Sequence, residues 1–308
     1  MTLPFQAYRS SIIFIIALFC GMVFDEGRQA GRILILPALM IILTITLLRF
    51  PRGFFRHPAS LLFSSIRGNL LNYLVLGNFI LLTGAFLIQK QELWIGLALV
   101  AAMPASLEII LLGILLRIEK NYVFTSISGT YLGALLIVPL VSLCFFKYIQ
   151  INYWNIAVLI LCLIALPLVL SRLIVEKDWD RILRKHENTL IDFCHFIVFY
   201  AISANSSMFL KKLSDDLVFI SLIALTSTFL FYFLIRRIGL YFHGQENKVN
   251  FFILLGTMKD YGLAGGIALT LFNPEVAVPP LVFAVFTFIY MNWLSFKARR
   301  IEDDCGDV

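Results

Sequence analysis

Apolar runs about as long as a bilayer is thick, cut by short polar connectors, recur from one end of the chain to the other. Crossing roughly 30 Å of hydrocarbon takes about 20 apolar residues at 1.5 Å each. By that measure the pattern predicts ten spans: 9–24, 33–48, 69–88, 94–117, 122–146, 153–173, 189–209, 216–235, 250–272 and 276–296. Little sequence lies outside them, which leaves no room for a soluble catalytic domain. Two of the runs read as broken helices. In LWIGLALVAAMPASLEIILLGILLR, Pro104 removes a backbone donor in mid-span and drives Met103 towards extended geometry. In FFILLGTMKDYGLAGGIALTLF, Lys259 and Asp260 interrupt the middle, flanked by Gly256 and Gly262. The broken runs are the fourth and the ninth, five apart. Two successive sets of five spans would therefore run in inverted topology, with a broken helix at the same place in each. Paired interruptions of that kind point to a transporter's midplane site.

Composition agrees: the 308 residues are 60% hydrophobic and 14% charged, with a mean hydropathy of +0.90, values expected of a membrane protein. The net charge of +6 is not a nucleic-acid signal, because it is distributed by side. Eighteen of the 25 Lys and Arg residues fall in connectors on the side of both termini and six on the other; the last is Lys259. That bias predicts cytoplasmic termini in a plasma (or inner) membrane. Span 9–24 reads as an uncleaved signal anchor, segment 49–67 as an interfacial stretch with phenylalanines among arginines, and 176–188 as a cytoplasmic connector. The end, EDDCGDV, reads as a solvated acidic tail. The five cysteines form no CxxC pair and read as small packing residues.

A charge in mid-span costs about 2.5–3.5 kcal/mol on insertion scales, so it calls for a partner or a task. Neighbouring helical residues point about 100° apart, so Lys259 and Asp260 do not pair within a continuous helix. Glu108, four residues after Pro104, is a candidate partner for Lys259 if the broken helices cross. Glu108, Lys259 and Asp260 then form a coupled trio able to hold or release one cation, Na⁺ or H⁺, with Glu108 and Asp260 as the candidate sodium ligands. Other polar groups at span depth are Ser106, Asn72 and Asn78; Thr125, Ser126, Ser128 and Thr130; Ser203, Asn205, Ser206 and Ser207; and the run TST at 226–228. Span hydroxyls commonly bond their own helix, so the amide of Asn205 ranks highest among these.

These residues resemble the bile acid:sodium symporter family, within the larger group of bile, arsenite and riboflavin transporters. The order Gly256, Lys259, Asp260, Gly262, Leu263, Ala264, Phe272, Pro274 follows the family's second broken helix, Pro279 its tenth-helix proline, and Pro104 with Arg117 its first broken helix. The resemblance implies an all-α membrane protein of two inverted five-helix repeats whose fourth and ninth helices cross. Panel-type helices at 1–68 and 151–213 would then move against core helices at 69–150 and 214–298, with a tail at 299–308. Sodium-coupled members carry polar ligands where this chain has Ile109, Ile110 and Leu255. The resemblance and its departures together imply that the Lys259 ammonium substitutes for a bound cation.

The expected function is a secondary transporter of a small organic anion driven by Na⁺ or H⁺, without a cofactor other than Na⁺ and without a nucleic-acid partner. A non-transporting sensor or scaffold is the alternative from another class. An arsenite-type efflux carrier would need a cysteine between 94 and 117, where there is none. An intramembrane enzyme is not expected, since the four histidines have no metal-ligand spacing.

Overall fold

Short connectors and long apolar runs leave helices as the economical way to satisfy backbone groups in lipid, and a computed structural model bears this out. It describes residues 3–24, 26–50, 66, 68–145, 153–210, 214–243 and 245–306. The helices are α1 (Leu3–Val23), α2 (Arg28–Leu47), α3 (Leu70–Leu87), α4 (Gln91–Ala102), α5 (Ile109–Leu115), α6 (Lys120–Phe145), α7 (Tyr153–Glu176), α8 (Asp180–Leu210), α9 (Asp215–Phe242), α10 (Glu246–Thr257), α11 (Tyr261–Leu271) and α12 (Val278–Gly306). Among the described residues, seven helices are long and apolar enough to cross a membrane, while Arg9–Val23, α4 and α11 are apolar but shorter. Large apolar side chains such as Phe86, Leu136 and Trp154 face outwards. The protein is membrane-embedded.

Three expectations change in detail. The connector at 176–188 shrinks to the turn 177–179, after which α8 begins at Asp180. The acidic end continues α12 as helix to Gly306. Gly256 and Gly262 are not the break in the ninth run: both are helical, and the interruption is Met258, Lys259 and Asp260 between them. The predicted interfacial stretch at 49–67 lies largely outside the described residues.

Packing follows the apolar faces. α8 lies against α1 and α2, α2 also meets α7, and α10 pairs with α9 and α3. The fourth and ninth runs enter the middle of this assembly, where α4 touches α3, α6 and α12, and α11 touches α2, α8 and α12. Glycine permits the last approach: a Cβ on Gly266 would stand 2.4 Å from Leu39 Cδ1, and one on Gly265 2.4 Å from Ile202 Cδ1. Among the described residues, two helices carry an underwound π stretch, Leu70–Gly77 in α3 and Thr226–Leu230 in α9, a feature frequent at functional sites.

Candidate functional site

Pro104 cannot donate, so Val100 O loses its helical partner and accepts from Met103 N instead (3.2 Å). Met103 turns extended (φ −72°, ψ 150°), as the residue before proline should. Residues 103–108 must then find hydrogen bonds outside a helix. They find them in the other break. Ala105 and Lys259 form an antiparallel β-bridge, in which Asp260 N donates to Pro104 O (2.9 Å) and Ser106 N to Met258 O (3.4 Å). Ala105 N donates to Thr130 Oγ1 on α6 (3.3 Å), and Thr130 OH to Ile127 O (2.8 Å). The two broken runs therefore cross, and each satisfies the other's exposed backbone.

The crossing disposes of the two charges differently. Lys259 is 1% exposed. Its ammonium donates to Asn72 Oδ1 (2.8 Å), Ala101 O (2.9 Å) and Met103 O (2.9 Å), and lies 4.9 Å from the centre of the Tyr73 ring. Three donors meet three acceptors, two of them carbonyls at the end of α4, where the helix dipole favours a cation. The expected Lys259–Glu108 pair does not form. At the crossing the lysine side chain leaves towards α3 and α4, while Glu108 stays on the other side of the break. Tyr73 OH donates to Thr130 O (2.5 Å) and Asn72 Nδ2 to Leu255 O (3.4 Å), so the groups around the ammonium are themselves fixed.

Asp260 is the N-cap of α11: its Oδ1 accepts from Leu263 N (2.9 Å), and its Oδ2 from Tyr131 OH (2.6 Å). Glu108 precedes α5 and accepts from Ser106 OH at 3.4 Å, while Ser106 Oγ accepts from Glu108 N (3.3 Å). Ser106, Glu108, Lys259 and Asp260 all line one cavity of about 90 Å³, together with Tyr131, Tyr261, Gly262 and Thr287. None of the groups that hold the Lys259 ammonium lines it, so the lysine contributes its chain and not its charge. The cavity extends between α2, α8 and α12 to Arg9, Arg49 and Asp192. There Arg9 pairs with Asp192 (2.5 Å) and Arg49 with Glu187.

The remaining candidates lie elsewhere. Asn205 Nδ2 donates to Ala201 O (2.8 Å) and Arg28 O (3.3 Å), tying α8 to the start of α2 away from the cavity. Ser128 borders a separate crevice by Phe50 and Leu168. Thr130 braces the first break without lining the cavity, and Gly256 packs against Ile235. Among the described residues, no cluster of three or more His, Cys, Asp or Glu is placed to hold a metal ion. Four groups gain importance that the sequence pattern did not single out: Tyr73, Tyr131, Tyr261 and Thr287. Each is aromatic or a hydroxyl inside an apolar run, and nothing local distinguishes it from packing. No family model matches the chain, and none of the curated proteins does.

Proposed function

We propose that the protein is a secondary active transporter of a small organic solute, working by alternating access on a plan similar to the bile acid:sodium symporter family. One observation carries the reading: two interrupted helices cross at an extended bridge, and half-buried carboxylates beside that bridge open onto a cavity. Irregular backbone at membrane depth is tolerated where protein buries it or where it lines a cavity, and substrate sites of transporters form at such interruptions. On this reading the chain has ten spans in two inverted repeats, α1–α6 and α7–α12. The π stretches of α3 and α9, in the third and eighth spans, support the repeat. Helices α1, α2, α7 and α8 form the panel and the others the core, with both termini cytoplasmic and the cavity reaching towards that side.

Coupling follows from the ammonium. Lys259 fills an oxygen cage that would suit a monovalent cation, so the driving ion is a proton carried at Glu108 and Asp260, not sodium bound at the crossing. The anion expected from the sequence drew on a Lys259 charge and on half-helix N-termini facing the cavity; the ammonium is turned away, and Asp260 caps the N-terminus of α11. A non-transporting sensor is the second reading, favoured by the buried apolar Ile109, Ile110 and Leu255.

The test does not need the substrate. In a chain whose cysteines are replaced by serine, Leu107→Cys places one thiol on the cavity wall. Labelling by an impermeant maleimide from both faces of oriented vesicles is expected for alternating access. Labelling from one face alone would leave the sensor. Lys259→Ala and Asp260→Asn should insert normally yet lose the two-sided reactivity.

A further inference from the structure

We infer that the solute bound in this cavity carries a positive charge, an ammonium group on a small hydroxyl-bearing body; the inference rests on the transport reading above. The charged groups sort themselves along the cavity. At the crossing, among the described residues, Glu108 and Asp260 accept hydrogen bonds only from neutral donors: Ser106 OH for the first, Tyr131 OH and Leu263 N for the second. The nearby ammonium of Lys259 is spent on Asn72, Ala101 and Met103. Arg9 and Arg49, at the far end, are paired with Asp192 and Glu187. Asp260 also takes the N-terminus of α11 for itself, which removes a place where an anion would bind. His195 lines the wall beside Phe199.

Two independent features fit the same solute. Tyr261 Oη and Thr287 Oγ1 line the cavity, are 4% and 2% exposed by residue, and lie close to each other, yet among the described residues neither has a partner in good hydrogen-bonding geometry. Buried polar atoms are nearly always satisfied, so this pair calls for a hydroxyl or N–H from a ligand or water. The walls are aromatic as well: Tyr131, Tyr261, Phe199 and Phe288 line the space. Ring faces attract cations by about 0.5–2 kcal/mol and offer an anion nothing comparable. The cavity, at about 90 Å³, is smaller than the roughly 150 Å³ that accommodates benzene, so the solute has only a few non-hydrogen atoms.

Purified protein is melted with ethanolammonium chloride, sodium isethionate (the anionic hydroxyl counterpart) or sodium chloride. Labelled ethanolamine uptake is measured in proteoliposomes against protein-free vesicles. Ethanolammonium is expected to raise Tm by several degrees at millimolar concentration, and isethionate and sodium chloride to leave it unchanged. Glu108→Gln and Asp260→Asn should each abolish the shift and cut uptake at least tenfold. Tyr261→Phe and Thr287→Val, which change no charge, should at least halve the shift and serve if the acidic variants fold poorly. A shift with isethionate alone, a cation shift that survives these substitutions, or no shift with ethanolammonium overturns the inference. If Leu107→Cys still labels from both faces in that event, the transport reading stands; one-sided labelling brings down both.

Discussion

The two interrupted runs reach similar geometry by different means. The first is written locally: Pro104 withholds a donor, Met103 is forced extended, and α5 restarts six residues after α4 stops. The second contains no proline and opens over only Met258, Lys259 and Asp260. Its unwinding is held by distant partners: the bridge to Ala105, the ammonium in the α3–α4 cage, and the carboxylate that caps α11 and receives Tyr131. One break is thus written in its own sequence and then braced by the other, whereas the second is a property of the assembled protein alone. Charge at the second break does the work that proline does at the first.

This contrast can be broken by substitution. Lys259→Met should have the largest effect, because it strands Asn72 Oδ1, Ala101 O and Met103 O in a dry site. A loss of about 3 kcal/mol or more is expected in denaturant unfolding, and a loss below about 1 kcal/mol would mean that the second break stands without its tether. Asp260→Ala comes next, at about 2 kcal/mol, through the lost cap and the lost charged hydrogen bond; Asp260→Asn should restore most of that stability while leaving function absent. Asn72→Ala removes one of the three acceptors and should cost about 1.5 kcal/mol by thermal melting. Pro104→Ala should be mildest, under about 1 kcal/mol with unchanged helical circular dichroism, because Lys259 and Asp260 hold the first break open from outside. A gain in helicity there would show that proline alone keeps α4 and α5 apart.

Hydropathy, one proline and a pair of mid-span charges are enough to show the membrane character, both broken runs and the carboxylates of the cavity, since each is a property of a short window. Partner choice was not legible. The acceptor of Lys259 on α3 lies 187 residues away, and at that distance sequence offers only polarity at the right depth, which Asn72 shares with many others. Glu108 was the wrong partner because a crossing has two sides, and a helical pattern does not tell which side a long side chain takes. Asn205 was overrated for the opposite reason: the carbonyls of Ala201 and Arg28 satisfy its amide nearby. Gly256 and Gly262 mark the neighbourhood of the break, but Gly256 serves close packing against Ile235 and Gly262 lies in the first turn of α11 with only ordinary contacts.

The lysine receptacle also bears on how a ribosome and an insertion machine can make this chain. Asn72, Ala101 and Met103 are all synthesised more than 150 residues before Lys259, as their separations of 187, 158 and 156 show. The costly cation therefore enters the bilayer after its acceptors have been translated. Its capture joins the late-made half of the polypeptide to the early one, and a nascent chain halted before that point would carry a polar hollow with nothing to close it.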